Sequence, residues 1–143
     1  MDKAAVLFLC TGNSCRSQMA EGWARQLHPG KFEVSSAGVS PSGLNADAVR
    51  VMAEVGVDIS GQRSKHVDEL TGKTFDYVVT VCDGARESCP VFPGAGKIVH
   101  RSFDDPPRIA RDATSEEARL MPYRRVRDEI RDFVAAFPQN LES

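Results

Sequence analysis

The amino-acid sequence predicts a single α/β domain built on a four-stranded parallel sheet with helices on both faces, connected by right-handed crossovers. Three observations predict it. At 143 residues the chain, taken as one domain over residues 1–143, holds one core and shows no composition break that would divide it. Short apolar runs alternate along it with segments whose apolar residues recur at helical spacing. The first run, Ala4–Cys10, is apolar throughout, as a strand covered on both faces must be.

The elements follow in order. After the first strand, residues 11–16 are small and polar, a tight loop. From Ser17 the period changes: Ala20, Trp23, Ala24 and Leu27 fall on one helical stripe, which His28-Pro29-Gly30 ends. Residues 32–37 read as a second strand, followed by a Gly/Ser/Pro-rich turn through Gly43. Asn45 is an N-cap for a helix carrying Val49, Met52 and Ala53, which stops near Gly56. A short helical piece at Val67–Leu70 leads to Thr71-Gly72, and residues 75–81 form a third strand bounded by Cys82-Asp83-Gly84. A loop rich in Gly and Pro runs to Gly96, and residues 97–100 form a short fourth strand. Residues 104–114 are polar and broken by Pro106-Pro107. In the final helix Val126, Ile130, Phe133, Val134 and Phe137 make one apolar stripe, closed by Pro138.

Composition removes several function classes. Apolar residues make up 41% and charged residues 27%, a globular balance with core enough to fold without disulfide staples. Basic residues number 18 against 20 acidic, with no basic run, so no nucleic-acid partner is expected. The longest apolar stretch is too short for a bilayer and no export signal precedes it, so the expected setting is cytoplasmic, with no membrane partner. A monomer is the default expectation.

Cysteine is the informative residue: Cys10, Cys15, Cys82 and Cys89. In a reducing compartment grouped cysteines serve as metal ligands, nucleophiles or redox partners. Neither the Cys10/Cys15 nor the Cys82/Cys89 spacing is that of a zinc knuckle, and no metal is expected. The sharpest signal is Cys10-Thr11-Gly12-Asn13-Ser14-Cys15-Arg16-Ser17, between the first strand and the first helix. Small residues let successive backbone N–H groups turn inward as an anion-binding nest, and Gly12 and Asn13 tolerate positive φ. The helix N-terminus adds partial positive charge there, and Arg16 forks two N–H donors onto a tetrahedral oxyanion. Cys10 then sits beneath the anion as a nucleophile. A free thiol of pKa ~8.5 is only about 3% ionised at neutral pH, so the helix terminus, Arg16 and the Ser17 hydroxyl are needed to raise the thiolate fraction.

This Cys-x5-Arg-Ser loop resembles that of the low-molecular-weight protein tyrosine phosphatases and their relatives, the thioredoxin-coupled arsenate reductases, which share a four-stranded parallel sheet. The stretch CTGNSCRSQMAEGW, from Cys10 to Trp23, looks like the reductase branch. The similarity continues through residues 77–82, 103–106 and 125–130. The resemblance implies that Thr11 to Ser17 bind the oxyanion: arsenate as substrate, phosphate or sulfate as competitors. It also implies a relay without a bound cofactor. Cys10 attacks arsenic, Cys82 attacks Cys10 and releases arsenite, and Cys89 attacks Cys82, leaving a disulfide that thioredoxin reduces. Cys15 is loop packing rather than a relay member. Phe103-Asp104-Asp105-Pro106 matches the reductases' general-acid loop, which assigns the acid to Asp105 with Asp104 as the fallback.

Two positions depart from the family. Some such reductases bind potassium through positions matching Asn13, Glu21, Ser36 and a carboxylate, but here the last is Lys65. Its ammonium is expected to replace the ion, pairing with Glu21 and stiffening Asn13. Arg101 stands where relatives often carry Trp. His28, His66 and His100 show no ligand spacing, and the Arg-rich segment from Arg119 to Arg131 reads as a solvated helix face. Two alternatives stay open: a small tyrosine phosphatase using Cys10, Arg16 and Asp105 alone, and a non-catalytic redox-sensing or anion-binding module. Glutaredoxin with glutathione, or another thiol, also fits the relay as donor.

Overall fold

The structure, a computed structural model, describes residues 3–82 and 92–142. Four strands, β1 (Ala4–Cys10), β2 (Phe32–Gly38), β3 (Phe75–Thr80) and β4 (Ala95–His100), form one sheet in the order β2-β1-β3-β4. Every neighbouring pair is parallel. The central position of β1 explains its unbroken apolar sequence: Val6 to Cys10 are all buried. β4 is an edge strand, and Ile98 on it is 56% exposed. It begins two residues before the expected start because Gly96 fits where a Cβ would stand 2.9 Å from the Asp76 carbonyl oxygen.

The long helices are α1 (Arg16–Leu27), α2 (Ala46–Glu54) and α4 (Glu116–Ala135); α3 (Pro106–Ala110) and α5 (Gln139–Glu142) are short. Asn45 caps α2 as expected, its Oδ1 accepting the Ala48 N–H at 2.9 Å. Residues 104–114, which sequence pattern leaves as a broken loop, contain α3 because Pro106 and Pro107 occupy its first turn, where a missing N–H costs nothing.

The two faces of the sheet are covered unequally. On one, Val6, Phe8, Val79 and Val81 pack with Trp23, Met52, Val126 and Ile130 of the three long helices. On the other, Leu7, Leu9, Ala37 and Val78 meet Leu70 of the 3-10 turn Val67–Leu70, together with Phe75 and Phe92. Among the described residues no helix is long and apolar enough to cross a membrane. The C-terminal ends of all four strands lie at one edge, and there the chain places the loop that follows β1.

Candidate active site

Thr11 to Cys15 turn from the end of β1 into the first residue of α1. Asn13 is the one described non-glycine residue with positive φ, at 45°. That turn points backbone donors inward, and the Asn13 N–H lies 3.2 Å from Cys10 Sγ. The loop is seated against β2: a Cβ on Gly38 would lie 2.5 Å from the Thr11 carbonyl oxygen and 2.9 Å from both the Asn13 nitrogen and the Cys10 carbonyl oxygen. Only glycine admits that approach. Outside the loop, Ser40, Ser42 and Asn45 donate their N–H groups to the carbonyls of Thr11, Gly12 and Ser14.

Beneath the loop an amide network fixes direction. The Asn13 Oδ1 accepts from the Lys65 N–H at 2.9 Å and from Gln18 Nε2 at 3.1 Å, so Nδ2 is left to donate to Ser17 Oγ at 2.8 Å. The Ser17 hydroxyl stands 2.9 Å from Cys10 Sγ. A Cys10 thiolate has no proton to give, so in that state Ser17 donates and the sulfur collects two hydrogen bonds where the negative charge sits.

Cys10, Thr11, Gly12, Ser14, Cys15, Arg16 and Asp105 line one cavity of about 310 Å³ together with Ser40, Ser42 and Pro107. That volume is at the small end of ligand sites. Arg16 is buried, its Nη1 donating to the Phe103 carbonyl at 3.1 Å and its Nη2 lying 3.7 Å from Asp105 Oδ1. Asp105 precedes α3 but caps none of its N–H groups; its side chain is 29% exposed on the cavity wall. The fallback acid, Asp104, is turned away and pairs with Arg125 at 2.8 Å.

Cys15 is the N-cap residue of α1 and is buried. Burial pushes its thiol well above the ordinary value of 9.0, with the Asp105 carboxylate adding to the rise and Arg16 opposing it. A helix terminus is worth at most ~2 kcal/mol, whereas full burial shifts such groups by several pKa units, so desolvation wins here. Cys82 follows β3 and is wholly buried in the same core cluster as Cys10. Leu9 pairs with Thr80, and the Val81 N–H continues the ladder to the Leu9 carbonyl. Cys82 thus lies about one residue beyond the level of Cys10, on the neighbouring chain segment at the same sheet edge. Cys10 and Cys15 are free thiols. Cys89 lies outside the described residues.

The oxygens proposed for a potassium ion do not fit one. Asn13 Oδ1 is filled by the two donors above, and Glu21 accepts from Ser36 Oγ and pairs with Arg25 Nη1, each at 2.5 Å. The expected Lys65–Glu21 pair gives way to these: the Lys65 ammonium donates to the Arg63 carbonyl at 3.3 Å, and it is the Lys65 backbone N–H that holds Asn13. Partial burial lowers the Lys65 pKa, with the nearby Glu21 charge opposing the drop. Among the described residues no group of three or more His, Cys, Asp or Glu is placed to hold a metal.

Sequence reasoning alone missed Ser40, Ser42 and Pro107 on the cavity wall and Gly38 and Gln18 behind it. Gly38 left a signal, a glycine closing a strand; the others left none.

Residues 5–143 match the family described as low molecular weight phosphotyrosine protein phosphatase. The chain is 46% identical over 139 residues to an arsenate reductase of Bacillus subtilis (strain 168), covering 97% of this chain and 98% of that protein. A solved arsenate reductase in a phosphate-binding state superposes with a TM-score of 0.75 at 33% identity, covering 96% of this chain and 95% of that one. A low molecular weight protein tyrosine phosphatase from T. tengcongensis superposes at 0.69 with 25% identity, covering 96% and 99%.

Proposed function

The chain belongs to the low molecular weight phosphotyrosine protein phosphatase family, and on that footing we propose that it reduces arsenate to arsenite by a relay through Cys10, Cys82 and Cys89, regenerated by thioredoxin in the cytoplasm. One observation carries the reading: the Cys10 sulfur, receiving the Ser17 and Asn13 donors, lies on one cavity with Arg16 and Asp105.

The Arg16 fork and the loop N–H groups hold arsenate above Cys10. The Cys10 thiolate forms a sulfur–arsenic bond as the arsenic–oxygen bond to an arsenate hydroxyl breaks, and that hydroxyl leaves as water with a proton from Asp105. Cys82 then attacks the Cys10 sulfur. The new S–S bond forms as the S–As bond breaks, and that electron pair stays on arsenic, which falls from As(V) to As(III) and departs as arsenite. Cys89 displaces Cys10 from Cys82, returning the first thiolate. A dithiol donor reduces the resulting Cys82–Cys89 bridge by exchange. The burial of Cys82 in the same core cluster as Cys10, one residue beyond its level at the same sheet edge, supports the hand-off. Thioredoxin fits as donor because a single dithiol opens an internal disulfide in two successive exchanges, and a reducing compartment keeps the resting thiols available.

The test follows NADPH loss with thioredoxin and its reductase, with and without arsenate. Consumption that requires arsenate supports the reading, and none refutes it. One observation favours a second activity: Cys10, Arg16 and Asp105 all line the cavity, and Cys82 does not. Phosphomonoester hydrolysis that survives Cys82→Ser while arsenate-dependent turnover is lost would identify it as a side activity of the same pocket.

A further inference from the structure

We propose that Arg101 is a positioning residue for Arg16, acting through Phe103. The Arg101 guanidinium carbon stands 4.4 Å from the centroid of the Phe103 ring, and its Nη1 donates to the Ser102 carbonyl at 2.5 Å. The buried Phe103 ring also meets Phe133 edge-on, with centroids 5.9 Å apart. These contacts fix a short segment at its start. The Phe103 N–H binds the Val81 carbonyl, its own carbonyl accepts Arg16 Nη1, and two residues later Asp105 faces Arg16 Nη2. Residues 103–105 thus supply partners for two different nitrogens of the Arg16 guanidinium.

A planar fork binds a tetrahedral anion well only while its plane is held, so a loosened Phe103 carbonyl weakens anion binding without touching the reacting atoms. Arg101 is itself exposed and absent from the cavity wall, which makes its part indirect. This inference rests on the cavity being an oxyanion site.

The experiment titrates arsenate and, in parallel, inorganic phosphate into the reduced protein by calorimetry. It compares wild type with Arg101→Ala, Arg101→Lys and Arg101→Trp, and measures steady-state kinetics alongside. Arg101→Ala should raise Kd and KM about two- to fivefold, the range of an exposed cation–π contact. Its kcat should change by less than about twofold, because the loss is in binding. Lys and Trp, each able to stack on Phe103, should restore affinity. Trp is decisive, because it stacks without a positive charge near the anion. Arg101→Ala binding as tightly as wild type, or Arg101→Trp binding as weakly as Arg101→Ala, overturns the proposal. A wild type that binds phosphate yet reduces no arsenate sinks the proposed activity, while the phosphate comparison still decides the role of Arg101.

Discussion

Ser17 Oγ lies 2.9 Å from Cys10 Sγ and takes the Asn13 amide hydrogen at 2.8 Å, so it stands in place to donate its own proton to a Cys10 thiolate. Hydrogen bonds to charged groups contribute ~1.5–3 kcal/mol, and the one from Ser17 is lost whole in Ser17→Ala. Alkylation of Cys10 by iodoacetamide at neutral pH should slow roughly tenfold or more, with kcat/KM for arsenate falling in parallel. An unchanged alkylation rate would show that Ser17 does not polarise the thiol.

Asp105 and Asp104 are neighbours with different surroundings, one on the cavity wall near Arg16 and the other paired with Arg125. Asp105→Asn removes the proton donor and should lower kcat by about 100-fold, within the usual range for general acids. Asp104→Asn breaks an exposed pair worth at most ~1 kcal/mol and should leave kcat within about threefold. Steady-state kinetics of the two variants side by side would expose a reversed assignment.

Gly38→Ala should act on the loop rather than on the core. Its new methyl group meets backbone atoms of Cys10, Thr11 and Asn13 that cannot rotate away. The expected cost is about 1–3 kcal/mol in stability, as for other overpacked sites. Activity should fall by more than the stability loss explains, because the nest itself is displaced. A melting curve and a kinetic assay on one sample separate the two effects.

Burial raises the Cys15 thiol well above 9.0 and raises the Tyr123 phenol to about 12 from 10.0. Both groups hold their protons more tightly folded than unfolded. The stability this represents is present below the unfolded values and is lost as pH rises toward the folded ones. The melting temperature should therefore fall above about pH 9, first through Cys15 and then through Tyr123. Cys15→Ala should flatten the first part of that decline and Tyr123→Phe the second. A decline identical in all three proteins would contradict the assignment. The same high pKa predicts that iodoacetamide at pH 7 spares Cys15.

Much of the site was legible because it is contiguous. Cys10 to Ser17 lie on one turn, and the reason for each residue is local: small size, positive φ at Asn13, a fork at Arg16. Asp105 was legible only through the resemblance of Phe103-Asp104-Asp105-Pro106 to the reductases' general-acid loop, since adjacent acids in a loop are ordinarily just solvated. The remainder is assembled by the sheet. Parallel register sets Gly38 level with Cys10, and the chain that continues from β2 brings Ser40 and Ser42 to the cavity, which no spacing in the sequence announces. Lys65 misled for a similar reason. Its charge suggested a substitute ion beside Glu21, but Arg25, one helical turn along α1, reaches that carboxylate, and the useful group on Lys65 is its backbone N–H. The strands and long helices followed from periodicity, whereas α3 was hidden because prolines at a helix start resemble prolines in a loop.

The central claim is that two oxidising equivalents pass from arsenic through Cys10 to the second cysteine pair. Fully reduced protein should be given one equivalent of arsenate without any donor, quenched with an alkylating reagent, and its thiols mapped by mass spectrometry. A bridge between Cys82 and Cys89, with Cys10 and Cys15 recovered as free thiols and one arsenite released per chain, is the predicted result. A Cys10–Cys15 bridge, or arsenite release with Cys82 still reduced, would contradict it.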